Sequence, residues 1–183
     1  MNGILLLADG FEDSEGLSTR DVLIRSGLNI VTASISSTRQ VNSSFGISLF
    51  ADCLISQIKP QDFDFIILPG GGKGTRNLAS SKAVESLILD FYHLDKLLCA
   101  ICAAPSIYGK LGLLKDKKYT CFAGFNKGVE GNFTGEEVEV DENLITARSM
   151  MYSIPFALAI IEKLLGKEAK DHVMVGLMGK EEK

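Results

Sequence analysis

Cys102 stands where an apolar run gives way to helix-forming sequence. The run Leu97-Leu98-Cys99-Ala100-Ile101-Cys102 reads as a strand covered on both faces. Ala103-Ala104-Pro105 then open a helix, with Pro105 in the first turn, where its missing N–H costs little. A thiol at such a strand end lies under free N–H groups that favour an anion. A thiolate stabilised there is a nucleophile. The alternative is a structural thiol, because cysteine is among the most buried residue types.

Other residues could serve that thiol. Glu12, Asp13 and Glu15 follow the first apolar run and sit at a helix start, where acids complement the helix dipole. Glu15 differs from the other two, because the residues after it enter the core face. A carboxyl pointing across the strand ends could reach Cys102 and exchange a proton with it. Gly70-Gly71-Gly72-Lys73-Gly74 ends another apolar run. It lacks the Walker and dinucleotide patterns, so it reads as a tight turn that could aim N–H groups at a reacting oxyanion. Cys99 and Cys102 have redox-pair spacing, but Cys99 falls inside the strand. The offset of three is expected to send the two thiols to opposite faces, leaving Cys99 in the core. Arg148 follows another strand, Asn143–Ala147, and could hold an anion or a surface ion pair. The two histidines, His93 and His172, lie far from these strand ends and do not make a zinc site.

The elements that must position these groups alternate along the chain. Strands are expected over 3–8, 29–34, 63–68, 97–102, 118–122 and 143–147. Helices are expected over 14–26, 82–94, 103–113, 153–165 and 168–175. Leu17, Val22, Leu23 and Ile24 are available for the core face of the first helix. Residues 36–52 read as a hairpin or edge excursion, residues 136–141 as an acidic hairpin arm, and residues 180–183 as a fraying tail. Alternation of this kind implies an α/β doubly wound sandwich with a mostly parallel sheet and helices on both faces. Sites in such folds form beyond the carboxyl ends of the strands, where strand order reverses.

Composition excludes some functions. The 183 residues suit one domain, over 1–183, large enough to fold without disulfides. With a net charge of -4 and no basic run, the chain offers no nucleic-acid footprint. The first apolar run is too short for a signal or a membrane span, so a cytoplasmic setting with four reduced cysteines is expected.

Four passages together resemble the DJ-one/ThiJ/PfpI family, the parkinsonism-associated deglycase superfamily, from Gly3 to about Val175. They are Ala8–Glu15, Ile67–Gly71, Ala100–Pro105, and Phe156–Ile160 with Gly166-Lys167. The resemblance implies a flavodoxin-like fold, a homodimer, a reactive Cys102 hydrogen-bonded to Glu15, and an oxyanion site built from Gly71 and Ala103 N–H groups. Gly70, Cys121 and Arg148 would border the pocket. The implied activity is glyoxalase or deglycase chemistry on methylglyoxal-type carbonyls or their adducts, with no added cofactor or metal. Redox sensing by cysteine oxidation and chaperone-like holding are alternatives; a thiazole-pathway or peptidase role is further off. The chain also departs from the family. Cys121 stands where many members have a histidine, and Ala103 where the protease-like branch has one. Ser149-Met150-Met151-Tyr152 replaces a Gly-Pro-Gly stretch, and Phe45 an arginine at the dimer contact.

Overall fold

A computed structural model describes residues 1–180. Strand β1 (Asn2–Leu7) leads through α1 (Asp13–Arg25) to β2 (Asn29–Ser34). A hairpin of β3 (Gln40–Asn42) and β4 (Ser48–Phe50) and a short β5 (Cys53–Leu54) follow. Next come β6 (Phe65–Leu68), α2 (Gly72–Ser80), α3 (Lys82–His93), β7 (Leu97–Ile101) and α4 (Pro105–Lys110). Strand β8 (Lys118–Tyr119) pairs with β9 (Asn132–Phe133). The hairpin β10 (Val138–Asp141) and β11 (Leu144–Ala147) precedes α5 (Ser153–Leu165) and α6 (Lys167–Leu177).

The main sheet has the order β10-β11-β7-β6-β1-β2-β5 and is parallel except at β10–β11. Alternate residues of its strands enter different layers. Ile4, Leu6, Ile66, Leu68, Leu98 and Ala100 pack with Val84, Ile88 and Phe91 of α3 and Tyr108 of α4. Leu5, Leu7, Phe65, Ile67, Cys99 and Ile101 pack with Val22 and Leu23 of α1 and Phe156 and Ile160 of α5. This is the flavodoxin-like doubly wound α/β sandwich. Phe91 is fully buried, and truncating such a side chain to alanine costs about 3–5 kcal/mol.

Several elements differ from the sequence-based expectation. The inner stripe of α1 runs through Glu15, Thr19, Val22 and Leu23, so Leu17 and Ile24 face outward. Helix α2 was not expected, because its two glycines argue against a helix; Gly71 caps it, and buried Thr75 and Leu78 anchor it. Strand β7 stops at Ile101, one residue short of Cys102, and α4 ends at Lys110. Only Lys118 and Tyr119 of the 118–122 run pair as strand, and β9 was not foreseen. The 36–52 excursion is the β3–β4 hairpin, and the acidic arm is β10. Most of the tail expected to fray, residues 181–183, lies outside the described residues. Among those described, no helix is long and apolar enough to cross a membrane.

Candidate functional site

Strand order reverses at β1, which pairs with β2 on one side and β6 on the other. The carboxyl ends of β1, β6 and β7 therefore bring Glu15, Gly70-Gly71 and Cys102 to the switch point of the sheet.

Cys102 turns the chain from β7 toward α4 with φ of 63°, in the left-handed region. Such a conformation costs a residue other than glycine about 1–3 kcal/mol and must be held from outside. The holding bonds are visible. Its N–H donates to the Ala147 carbonyl at 2.8 Å, and its carbonyl accepts the Phe122 N–H at 2.8 Å. The turn lifts the half-buried thiol off the strand. The backbone N–H groups of Ala103 and Gly71 are near enough to the sulfur to favour its thiolate form. Leaving the strand also breaks its alternation. Cys102 thus packs against the same layer as Cys99, and not on the opposite face.

The three acids of the α1 start have different partners. The Glu12 carboxylate caps the helix by accepting the Glu15 N–H at 2.7 Å. Asp13 accepts the Ser43 hydroxyl at 2.6 Å and the Phe45 N–H at 3.1 Å, tying the hairpin to α1. Glu15 alone turns inward and is 1% exposed. Its Oε2 accepts the Gly70 N–H at 2.8 Å. Its Oε1 has no partner in strict hydrogen-bond geometry among the described residues, and the Cys102 thiol is close enough to the carboxyl to act on it. Looser geometry is common before substrate binds.

Glycine is needed at two places here. A Cβ on Gly70 would lie 2.5 Å from Glu15 Oε2 and 2.8 Å from Cys102 Cβ. Gly71 has φ of 90°, and a Cβ on it would meet the Gly10 carbonyl oxygen at 2.4 Å.

Burial pushes the Glu15 carboxyl up to about 7, and the charge of Glu12 adds to this; Cys102 and the Gly70 N–H act the other way. Burial also pushes the Cys102 thiol far above its usual range, helped by the Glu15 charge and hydrogen bond. The Ala103 and Gly71 N–H groups oppose that rise. The two groups titrate as a pair. The first proton leaves near neutrality, from Glu15, and the second stays on the Cys102 thiol. From that state a thiolate requires proton transfer from Cys102 to Glu15, which creates no second charge in a dry site.

Residues 3–163 match the model of the DJ-1/PfpI family. The chain belongs to that family. It is 37% identical over 164 residues to protein DJ-1 homolog B of Arabidopsis thaliana, covering 88% of this chain but only 37% of that protein's length. It is 30% identical over 173 residues to the glutathione-independent glyoxalase DJR-1.2 of Caenorhabditis elegans, covering 93% and 92%. The crystal structure of DJ-1beta from Drosophila melanogaster superposes with a TM-score of 0.91 at 31% identity, over 97% of each chain.

Cys121 and Arg148, expected at the pocket of this DJ-1/PfpI chain, have these surroundings. Cys121 is fully buried in the layer of α3 and α4, and burial raises its thiol to about 11. Its neighbour Phe122 is the residue joined to Cys102, through the backbone. The Arg148 guanidinium donates to the Gly135 carbonyl at 2.8 Å and to the Tyr152 hydroxyl, and stacks over the Tyr152 ring. Arg148 therefore braces the turn after β11 and makes no ion pair among the described residues. All four cysteines are free, and no cluster of metal-binding side chains occurs among the described residues. Sequence reasoning missed Phe122 and Ala147, because both act through backbone atoms that side-chain types do not signal.

Proposed function

We propose that this chain is a cysteine-dependent enzyme acting on small reactive carbonyls of the methylglyoxal type, or on their adducts with amines and thiols. The observation that carries the reading is the meeting of Cys102, the Glu15 carboxyl and two N–H donors at the switch point of the sheet. The Cys102 thiolate attacks the aldehyde carbon, and the carbonyl oxygen takes the negative charge as a hemithioacetal forms. The N–H groups of Gly71 and Ala103 stabilise that oxygen. Glu15, protonated when the thiolate forms, supplies the proton to it. As a carboxylate it then removes the C–H proton and returns it to the neighbouring carbon. Water hydrolyses the resulting thioester to a hydroxy acid and frees the thiol. The sequence is redox-neutral and needs no external hydride acceptor. A relative at 30% identity named a glutathione-independent glyoxalase supports this class.

Methylglyoxal consumption by the wild type, Cys102→Ser and Glu15→Gln tests the reading. Both variants are expected to lose turnover at least ~100-fold while staying folded. Wild-type turnover in Cys102→Ser would end it.

One observation favours a second reading, an oxidation sensor. Phe122 reaches the Cys102 carbonyl through its backbone, and neither His93 nor His172 belongs to an element at the site. Glu15 is thus left as the proton carrier, which suffices for holding an oxidised sulfur. Dilute peroxide followed by peptide mass mapping should then put added oxygen on Cys102. Oxidation of Cys53 first would count against it.

We further infer a homodimer in the cytoplasm. Phe45 and Phe50 are 80% and 72% exposed on the hairpin, and Leu17 shares a cleft with Phe50. This apolar surface beside the α1 start fits a second copy of the chain.

A further inference from the structure

Phe122 is an exposed aromatic residue tied to the reacting cysteine. Its N–H donates to the Cys102 carbonyl at 2.8 Å, which holds the two backbones roughly 5 Å apart. Cys121 before it is sunk in the layer of α3 and α4, but Phe122 stands outside that layer and is 46% exposed. Its ring packs edge-on against that of Phe125, also exposed, with centroids 6.4 Å apart.

A second segment is tied to the same cysteine. The Cys102 N–H donates to the Ala147 carbonyl at 2.8 Å, and the turn after Ala147 carries exposed Met150 and Met151. Both segments that hold Cys102 in place thus carry apolar side chains in the open. Neither brings a charge that is not already engaged. Residues 121–125 have no ionisable side chain except the buried Cys121, and Arg148 is held by the Gly135 carbonyl and the Tyr152 ring. Clustered apolar side chains beside a half-buried thiol are costly in water and favour a ligand that covers them.

We propose that Phe122 selects the substrate at Cys102, favouring 2-oxoaldehydes with an aromatic body, of the phenylglyoxal class, over methylglyoxal. This rests on the carbonyl chemistry proposed above for Cys102. The aldehyde carbon must reach the sulfur with its oxygen toward the Gly71 and Ala103 N–H groups, so the body of the molecule leaves the site over another part of the rim. On the Phe122 side that rim is apolar. A methyl group covers little of it. A phenyl ring stacks edge-on or offset on Phe122, and a methionine sulfur suits its edge. A charged body finds no counter-ion on either segment. Phenylglyoxal and water give mandelate by the redox-neutral steps already described, with no further reactant. Stacking on one ring is worth up to about tenfold in binding, and the apolar area covered adds to that.

Two comparisons on the whole protein test it. The first is kcat/KM for phenylglyoxal over that for methylglyoxal. This ratio should be at least about tenfold in the wild type and fall about fivefold or more in Phe122→Ala. The fall between proteins is free of the intrinsic reactivity of the two aldehydes, which is the same in each. Phe122→Leu should give an intermediate ratio. Phe133→Ala, an exposed ring that packs on Tyr119 instead with centroids 5.7 Å apart, should keep the wild-type ratio. The second comparison, alkylation of Cys102 by iodoacetanilide over that by iodoacetamide, needs no turnover and should fall in the same way. An unchanged alkylation ratio in folded Phe122→Ala overturns the proposal; if that variant does not fold, the same result in Phe122→Leu does so. An equal fall in Phe133→Ala would mean general surface apolarity and overturn it. A changed sedimentation of Phe122→Ala would make the rings an interface between copies and overturn it too. A wild type that turns over neither aldehyde, yet prefers iodoacetanilide through Phe122, would end the carbonyl reading and leave the aromatic selection standing.

Discussion

Replacing Gly70 by alanine would place a methyl group between the two reacting side chains. The new carbon would lie 2.5 Å from Glu15 Oε2, 2.8 Å from Cys102 Cβ and 3.1 Å from the Ile101 carbonyl oxygen. The first distance is about 1 Å inside an ordinary contact of ~3.5 Å. Cys102 and the Ile101 carbonyl are fixed by the end of β7, so the Glu15 carboxyl must give way. That movement breaks its 2.8 Å bond from the Gly70 N–H and draws it away from the thiol. A displacement near 1 Å costs on the order of 100-fold in a positioned reaction. Overpacking of this kind also removes about 1–3 kcal/mol of stability. Gly72→Ala is the matched control, since its Cβ would meet only Arg76 Nη1 at 3.6 Å. Gly70→Ala should therefore lose about 10–100-fold in both Cys102 alkylation and methylglyoxal turnover, while Gly72→Ala keeps both. Urea unfolding reports the stability cost separately. A folded Gly70→Ala variant that alkylates and turns over like the wild type would refute the claim that Glu15 must sit beside Cys102.

Further outcomes follow from the same geometry. The Glu15 carboxyl is raised from 4.5 to about 7, so its protonated form favours the folded state. That contribution is complete below about pH 4.5 and is lost as pH climbs through 7. Urea midpoints of the wild type should thus fall between pH 5 and 8, by up to ~3 kcal/mol, and Glu15→Gln should flatten that slope; parallel profiles in the two proteins would contradict it. Phe45→Lys should leave a folded monomer by sedimentation, whereas a wild type already monomeric at tens of micromolar would remove the homodimer. Cys121→Ser should cost about 1–3 kcal/mol by burying a hydroxyl in an apolar layer, without moving the pH profile of Cys102 alkylation. A moved profile would return Cys121 to the pocket.

What could be read in the sequence divides by kind of signal. Strands β1, β6 and β7 are built on short unbroken apolar runs bounded by turn residues, β2 is a mixed run rich in β-branched residues, and α3 and α5 carry full helical spacing. Those elements and their layers were legible, as was the meeting of strand ends at a switch point. The inner face of α1 was not, because a carboxyl, a glycine and a threonine occupy positions that periodicity assigns to apolar side chains. Of those exceptions, Glu15 belongs to the site. Helix α2 was hidden by its glycines, of which Gly74 is required by close approach to the turn after β1: a Cβ there would meet the Gly10 carbonyl oxygen at 2.7 Å. The left-handed turn at Cys102 was also invisible, since nothing in Cys-Ala-Ala-Pro announces a positive φ. The same turn undid the alternation argument that separated Cys102 from Cys99. Where the Cys121 side chain lies was not legible for a related reason. A one-residue difference in where a strand stops decides which side chain faces in, and β8 stops at Tyr119.

The central claim is that Cys102 and Glu15 share a proton. The pH dependence of Cys102 alkylation, measured by mass mapping in the wild type and in Glu15→Gln, tests it most directly. The wild-type rate should rise with a midpoint near 7, following the first ionisation of the pair. In Glu15→Gln the thiol must ionise alone in a buried place, so the midpoint should move up by more than about one unit. A wild-type midpoint at the ordinary thiol value of about 8.5, unmoved by Glu15→Gln, would contradict the account.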